Sequence, residues 1–310
     1  MIHLRLVVPP HEVEPILQLL ERTDAVINVI HLPGAARKPS GDVVLCDVAR
    51  EEGSYVLTQL RDTGLESTGS IAVETIDTAL SDAARDAERA APGSSSDAVI
   101  WEEVEARTSE SAELSLSFLA FMVIATMIAG VGILTDSLIL IIGAMVVGPE
   151  FGPLAGICVA AVQRRLDLAQ RSFIALAVGF PLAIVATLVG TLLVRAVDLG
   201  PEKLHSGDRA VTLFISDPDA FTVIVAVLAG VAGVLSLTSA KSGALIGVLI
   251  SVTTIPAAAN VGAATAYGDW NELGGAAAQL GINLAAIILA GVATLTLQRL
   301  SYDRRVGHLP

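Results

Sequence analysis

The stretch Ile142-Gly-Ala-Met-Val-Val-Gly-Pro-Glu-Phe-Gly-Pro-Leu-Ala-Gly-Ile-Cys-Val-Ala160 is apolar except at its centre, where two prolines enclose Glu150. Pro149 and Pro153 each lack a backbone donor and interrupt the helical ladder, while Gly152 permits unusual dihedral angles. Bare main chain at membrane depth is tolerated only inside protein or beside a water-filled cavity. The stretch therefore predicts a broken membrane helix with a sheltered site at its centre.

A second stretch, Ile246-Gly-Val-Leu-Ile-Ser-Val-Thr-Thr-Ile-Pro-Ala-Ala-Ala-Asn-Val-Gly-Ala-Ala264, repeats the pattern 104 positions later. At this spacing Glu150 aligns with Thr254, and Gly156 aligns with Asn260. Interrupted apolar segments at matching places in two halves predict a transporter-type site at the bilayer midplane. The candidate solute- or ion-binding residues of the two stretches are Pro149, Glu150, Gly152, Pro153, Thr253, Thr254, Pro256 and Asn260.

Each polar group has two interpretations. Glu150 is a costly intramembrane carboxylate, so it is a candidate for binding a proton or a cation. Alternatively, it caps the half-helix that begins near Pro153, where a negative charge suits the helix dipole. The hydroxyl and amide groups of the second stretch either coordinate a cation or solute, or bond backbone across helices. Asn283, in the last apolar segment, is interpreted as a structural contact of the second kind.

Composition separates two parts of the 310-residue chain. It is 53% hydrophobic and 16% charged, and its mean hydropathy is +0.68, which indicates a membrane protein. Of the net charge of −13, most belongs to residues 1–112, which hold 20 acids and 9 bases. This acidity argues against nucleic acid as a partner. Cys46 and Cys158 are too few for a disulfide framework or a zinc cluster.

The N-terminal part alternates strands and helices in the order β-α-β-β-α-β. This order predicts a small α+β domain of the ferredoxin-like, split βαβ type. The predicted strands are 2–8, 25–32, 42–48 and 69–76, with Pro33-Gly34 ending the second, and the predicted helices are 12–22 and 51–63. The predicted domains are 1–80 (ferredoxin-like), 81–112 (linker and acidic amphipathic helix), 113–300 (transmembrane) and 301–310 (tail).

The apolar part predicts six transmembrane helices, each near the ~20 residues that span the hydrocarbon core. They are placed at about 114–134, 137–162, 172–196, 220–238, 243–266 and 274–298. Bases concentrate in the loop 163–171 and in the C-terminal tail, so the positive-inside rule puts both termini in the cytoplasm. No secretory signal opens the chain. We expect a multi-pass protein of the cytoplasmic (inner) membrane.

Three spans in each half make the halves inverted-topology repeats, with broken second and fifth helices. The beginning of each half adds to this pairing, because Ile128-Ala-Gly-Val-Gly-Ile-Leu134 resembles Leu228-Ala-Gly-Val-Ala-Gly-Val-Leu235. Strand edges of the N-terminal domain can pair between subunits, so we also expect a homo-oligomer.

Three motifs in this order resemble the prokaryotic "uncharacterised hydrophobic domain" family, a domain-of-unknown-function group. They are Ile142–Pro153 with the basic loop after it, Lys241–Pro256, and Gly281-Ile-Asn-Leu-Ala-Ala-Ile-Ile-Leu-Ala-Gly291. The resemblance covers about residues 110–300 and implies an integral membrane protein of a bacterium or archaeon. The chain differs from many members in having Glu150 and Phe151 between the two prolines.

Three functions are consistent with these residues. The first is a secondary transporter or permease for a small solute or ion, coupled to a proton or cation through Glu150. The second is an oligomeric ion channel with a ring of Glu150 side chains. The third is a membrane-anchored sensor or scaffold that acts through its N-terminal domain. The sequence has no phosphate loop, metal-ligand cluster or nucleophile elbow, so we expect no enzyme activity, cofactor or metal.

Overall fold

The computed structural model describes residues 1–76, 78–91, 98–201, 204, 215, 218–239 and 253–306, with side chains as far as 301. These residues form two compact units. The first unit is mainly Met1–Val104, and the second is mainly Glu105–Leu237 with the described residues 253–301.

The first unit contains a four-stranded antiparallel sheet in the order β2-β3-β1-β4. One strand lies between the two parallel strands of each β-α-β connection, which is the split βαβ arrangement. Its elements are β1 (Ile2–Val8), α1 (Val13–Glu21), β2 (Val26–Arg37), β3 (Ser40–Val48), α2 (Arg50–Asp62), α3 (Leu65–Thr68), β4 (Ser70–Thr75) and α4 (Asp82–Ala90).

The core of this unit follows from the period of two in the strands. Alternate residues of β1 and β3 are fully buried, and apolar side chains of α1 and α2 complete the core. These residues are Ile2, Leu4, Leu6, Val8, Val44, Cys46, Val48, Ile16, Leu20, Leu57 and Leu60.

The end of the second strand was predicted wrongly. Pro33-Gly34 does not end β2, which continues to Arg37, and the pairing with β3 is irregular between Leu32 and Ala36. A β-bulge can contain a proline and a glycine with a positive φ angle, so the strand continues beyond them. The helix α4 was also missed, although Ser81 caps it by accepting the N–H of Ala84 at 3.0 Å.

The side chain of Asp42 stabilises the β2–β3 hairpin through hydrogen bonds. The N–H of Gly34 donates to it at 2.8 Å, and His31 lies 2.7 Å away. These hydrogen bonds lower the pKa of the Asp42 carboxyl below its ordinary value. A lowered folded-state pKa stabilises the hairpin above the unfolded pKa, near ~3.9, and this contribution is lost as the pH falls through the folded value.

We therefore expect Asp42→Asn to accelerate amide hydrogen exchange of residues 31–43 at neutral pH. The difference from the unaltered protein should disappear in acid, where Asp42 is protonated. Exchange measured by mass spectrometry on the full chain at both pH values tests this. A difference that persists unchanged in acid contradicts the role of the carboxylate.

Both cysteines are buried, and burial raises the pKa of the Cys46 thiol to about 12. Because the thiolate is the reactive form, the native protein should resist alkylation at both positions. Treatment with N-ethylmaleimide followed by mass spectrometry should find less than one adduct per chain before denaturation and two after it. Rapid native labelling of Cys46 would contradict the packing of β3.

The second unit consists of helices, and the junction with the first lies within α5 (Trp101–Ser111). It contains α6 (Leu116–Leu134), α7 (Leu138–Val147), α8 (Phe151–Gln163), α9 (Leu166–Ala196), α10 (Ala220–Thr238), α11 (Thr254–Tyr267) and α12 (Trp270–Val306). Among the described residues, four helices (α6, α9, α10 and α12) are long and apolar enough to cross a membrane. The pair α7–α8, bent by 50° at its break, makes up to five.

The described helices overlap five of the six predicted spans and the second part of the remaining one. α10 has the predicted bounds, and α9 begins six residues before the predicted start. The predicted fifth span, 243–266, begins outside the described residues, so its first part and its break are not seen. α11 alone has 14 residues, or about 21 Å of helix, which is shorter than the hydrocarbon core.

Candidate functional site

The helix break predicted around Pro149 and Pro153 is present. α7 ends at Val147, α8 begins at Phe151, and the two axes differ by 50°. Pro153 is the third residue of α8, where its missing N–H would lack an intrahelical acceptor in any case. The proline and glycine residues therefore stop one helix and start another, and Glu150 lies at the junction.

The carboxylate of Glu150 points away from solvent, and the residue is 1% exposed. Oε1 accepts a hydrogen bond from the hydroxyl of Thr254 at 2.7 Å. The side chain makes no capping bond to α8, so capping does not explain its position. Oε2 has no hydrogen-bond partner among the described residues, and no lysine or arginine among them pairs with it. The site is thus a buried acid with one satisfied oxygen.

Two glycines make room for this arrangement. A Cβ added to Gly148 would overlap Oε2 of Glu150 and lie 2.6 Å from Ile255. A Cβ added to Gly152 would lie 2.7 Å from the side chain of Ser111. Gly148 therefore admits the carboxylate, whereas Gly152, a predicted site residue, serves close packing against the end of α5.

The remaining predicted site residues separate into two groups. Thr253 accepts a hydrogen bond from the amide of Asn283 at 2.7 Å, next to the Thr254 contact. Asn260 lies further along α11 and donates to Glu272 at 2.5 Å, so it does not contact Glu150. Pro149, Pro153 and Pro256 shape the helix starts and present no polar side chain. The structure thus brings Glu150 and Thr254 together directly, with the Thr253–Asn283 pair beside them.

Two polar residues of α12, one buried and one half-buried, were missed in the sequence. Gln279 is 2% exposed, and Glu272 is half-buried against Asn260. Glu272, Gln279 and Asn283 are spaced by seven and four residues, so they lie on one face of the helix. This spacing could have been read from the sequence. In the described part of the chain, no three histidine, cysteine, aspartate or glutamate residues lie close enough together to hold a metal ion.

Glu150 and Thr254 are 104 positions apart. Several helix starts and ends of the second unit recur at the same spacing. α6 and α10 have 19 residues each and begin 104 positions apart. α8 and α11 end in left-handed residues at the same spacing, Arg164 with φ 58° and Gly268 with φ 70°. Beyond these caps, the next N–H donates back at 3.0 Å, from Arg165 to Ala160 and from Asp269 to Ala264.

A contact within each half also recurs at this spacing. In the first half, the Thr126 hydroxyl on α6 donates to the carbonyl of Ala183 on α9 at 3.3 Å. In the second half, Gly230 on α10 lies so close to α12 that an added Cβ would be 2.7 Å from the carbonyl of Ile287. Gly230 lies 104 positions after Thr126, and Ile287 lies 104 positions after Ala183.

Contacts between the halves recur reciprocally. The Cys158 thiol of α8 donates to the carbonyl of Ile288 on α12 at 3.6 Å. Gly262 of α11 abuts α9, where an added Cβ would lie 2.7 Å from the carbonyl of Ile184. Gly262 lies 104 positions after Cys158, and Ile288 lies 104 positions after Ile184. The two contacts are therefore reciprocal at this spacing.

Two arginines make the same reciprocal contact at helix ends. Arg299 of α12 donates to the carbonyl of Val162, at the end of α8, at 2.7 Å. Arg195 of α9 donates to the carbonyl of Ala266, at the end of α11. Each guanidinium satisfies a carbonyl that has no acceptor role within its own helix, and each suits the negative end of the helix dipole. Arg299 lies 104 positions after Arg195, and Ala266 lies 104 positions after Val162.

Apolar helices of membrane-spanning length around a buried acid at a helix break define the chain as a helical membrane protein. Within that class, the family model described as "Domain of unknown function (DUF389)" matches residues 145–289. This match contains the break, Thr254 and Asn283, and it confirms the resemblance seen in the sequence motifs.

An uncharacterized protein of Methanocaldococcus jannaschii is 27% identical over 194 residues, which are 63% of this chain. The aligned part spans 58% of that protein's length. No solved structure matches the chain.

Proposed function

We propose that the protein is a secondary transporter or permease for a small solute or ion, coupled to a proton or cation through Glu150. The observation that carries the proposal is the Glu150–Thr254 hydrogen bond, which joins two positions that align in the sequence and buries an acid at a helix break. Transporters of this architecture bind solute and coupling ion where broken helices of two repeats meet.

We infer that residues 113–300 consist of two inverted three-helix repeats. In a two-fold arrangement, a contact between residue i and the equivalent of j requires a contact between j and the equivalent of i. The reciprocal pairs of Cys158 with Ile288 and of Gly262 with Ile184 have this form. A residue that touches its own equivalent lies on the axis. Glu150 and Thr254 therefore mark the pseudo-two-fold axis.

The contacts also support a register for the repeat. The segments beginning at Ile128 and Leu228 resemble each other at a spacing of 100, but α6 and α10 begin 104 positions apart. The pairs Thr126–Ala183 and Gly230–Ile287 require the same 104. The sequence likeness of the first helices is thus one helical turn out of register, whereas the likeness of the broken stretches is in register.

This architecture places the site near the bilayer midplane and gives the repeats opposite orientations, with six spans and broken second and fifth helices. Both termini then lie in the cytoplasm of an inner-membrane protein, following the basic loop 163–171. Rocking of one repeat against the other would expose the site alternately to the two faces. The N-terminal domain then serves regulation or homo-oligomer assembly from the cytoplasmic side.

The burial of Glu150 favours a transporter over a channel with a shared ring of acids. A ring at an oligomer axis requires carboxylates that reach the surface of the subunit. Glu150 is 1% exposed within the single chain and binds Thr254 of the same chain. A simple membrane anchor has no need of a buried, half-satisfied acid, since such a group is costly.

Accessibility of the site from both faces tests the proposal without knowledge of the solute. We expect a cysteine introduced as Thr253→Cys to react with a membrane-impermeant thiol reagent in right-side-out and in inside-out vesicles. The native cysteines are buried and give a low background. Electrical recording from proteoliposomes on a solid support, with jumps of amino acids, organic acids and inorganic ions, would then identify the solute.

The matched control is Ala258→Cys on the same helix, which is fully buried and should stay unlabelled from either face. Labelling of Thr253→Cys from neither face would contradict a transport site. Unitary currents across a planar bilayer would favour the channel.

A further inference from the structure

Five polar residues of the segment 253–283, three of them buried and two half-buried, form a row that runs from the residue beside Thr254, the partner of Glu150, towards the beginning of α12. We define this polar row as Thr253, Asn283, Gln279, Asn260 and Glu272. Asn283 binds Thr253 at 2.7 Å, and Asn260 binds Glu272 at 2.5 Å. On α12, the spacings of seven and four residues keep the members on one face.

The length of the polar row is close to half the thickness of the hydrocarbon core. Glu272 and Asn283 are eleven residues apart on α12, which is about 16 Å of helix. Half of the hydrocarbon core is about 15 Å. A row that begins near the start of α12 therefore reaches the level of the helix break, where Thr254 holds Glu150.

The polar row has unused hydrogen-bonding capacity. Oδ1 of Asn260, Oε1 of Gln279 and Oε2 of Glu150 are buried and have no partner among the described residues. Buried polar atoms are almost always satisfied, so each of these atoms calls for a partner other than the described protein groups. Amide and carboxylate oxygens accept hydrogen bonds from water or hydronium, which suits a proton path.

The equivalent positions of the other repeat carry no such row. Shifting the five members by 104 gives only apolar or small residues: Pro149, Gly179, Ala175, Gly156 and Leu168. The polar connection therefore exists on one side of the pseudo-two-fold axis only, although the helix packing is the same on both. A purely structural need for polar contacts between these helices would apply to both repeats.

We propose that the polar row conducts protons between Glu150 and the membrane face at the start of α12, a proposal that rests on the proposed transport function. A proton that enters at Glu272 ends on Oε2 of Glu150 and neutralises the carboxylate, and the reverse passage releases it. Under the topology proposed above, this face is the one opposite the cytoplasm. The amide and carboxylate oxygens of the row accept hydrogen bonds from water or hydronium, so the ligand proposed here is the proton.

Other titratable groups lie on the helices around Glu150, but Glu150 itself binds only Thr254 among the described residues. α6 and α7 carry none. In the second unit, as far as the structure describes side chains, those on the other helices are Glu105, Arg107 and Glu110 on α5, Cys158 on α8, Asp167, Arg171 and Arg195 on α9, Tyr267 on α11, and Glu272 and Arg299 on α12. Glu272 is the acid that the polar row connects to the site.

Dicyclohexylcarbodiimide, which modifies protonated carboxyl groups, reports on Glu150 in the full-length protein. Acid is applied to one face at a time, using right-side-out and inside-out vesicles, and adducts on Glu150 are counted by peptide mass spectrometry. We expect acid at the face of Glu272 to raise labelling of Glu150 within a short exposure. Gln279→Leu should slow this response several-fold, Asn260→Leu should do the same, and Gln279→Glu should preserve it.

Thr296→Val is the matched control, because this exposed threonine of α12 lies outside the polar row, and its response should be unchanged. Equal responses to acid at either face would overturn the one-sided path. Protection of Glu150 by sodium at constant pH would overturn the proton as ligand, and so would a complete lack of labelling. Unaltered responses in both leucine variants, with Thr253→Cys still accessible, would refute the polar row and leave the transport proposal standing.

Discussion

Replacing Glu150 with glutamine should reduce pH-driven uptake to background while the protein stays folded. Glutamine has nearly the same volume and still offers Thr254 an oxygen, so the 2.7 Å contact can persist. It cannot take up or release a proton at any relevant pH. Because a neutral amide is cheaper to bury than a charged carboxylate, thermal stability should not fall. The altered protein should therefore lose its coupling and keep its fold.

The measurement is uptake of the identified solute into proteoliposomes with and without an inward pH gradient, together with size-exclusion chromatography after heating. Glu110→Gln is the control, since this acid of α5 is exposed and outside the site. It should leave uptake and pH dependence unchanged. A Glu150→Gln protein with an unaltered pH profile would remove the coupling role of the carboxylate.

The break was predictable from the sequence because its causes are local. Proline removes a donor wherever it stands, and two prolines four residues apart with Gly148 and Gly152 beside them favour a break, whereas the single Pro181 lies inside the continuous α9. The apolar length of the helices is also a local property. For this reason α6, α9, α10 and α12 could be placed from composition alone.

The partner of Glu150 depended on long-range geometry and could be anticipated only through the repeat. An alignment at 104 paired it with Thr254, but alignment by itself states equivalence and not contact. Contact follows only if the pair lies on a two-fold axis. The alternative was a helix cap, favoured by the charge of Glu150 at the start of α8, and the side chain makes no capping hydrogen bond to that helix.

The failures have a common cause, which is that tertiary pairing outweighed a local signal. Pro33 was expected to end β2, but pairing with β3 resumes at Ala36 after the irregularity. The members of the polar row lie on two helices, so no single segment displays them.

The second large effect is expected at Gly262, where α11 and α9 make their closest approach. An added Cβ would lie 2.7 Å from the carbonyl oxygen of Ile184 and 3.0 Å from the N–H nitrogen of Leu188. Both are backbone atoms of α9, so no rotamer change can relieve the overlap. Alanine should cost about 1–3 kcal/mol of stability, as overpacking does in other cores. Leucine should separate the helices and abolish recovery of folded protein.

Gly274→Leu provides the control, because nothing lies within 4 Å of the Cβ position of Gly274 on α12. It introduces the same side chain into an apolar helix and should leave recovery and thermal stability near those of the unaltered protein. Gly230→Leu should behave like Gly262→Leu, since its Cβ would lie 2.7 Å from the Ile287 carbonyl. Monodisperse, heat-stable Gly262→Leu protein would show that α9 and α11 are further apart, and it would remove one of the reciprocal contacts that support the proposed two-fold axis.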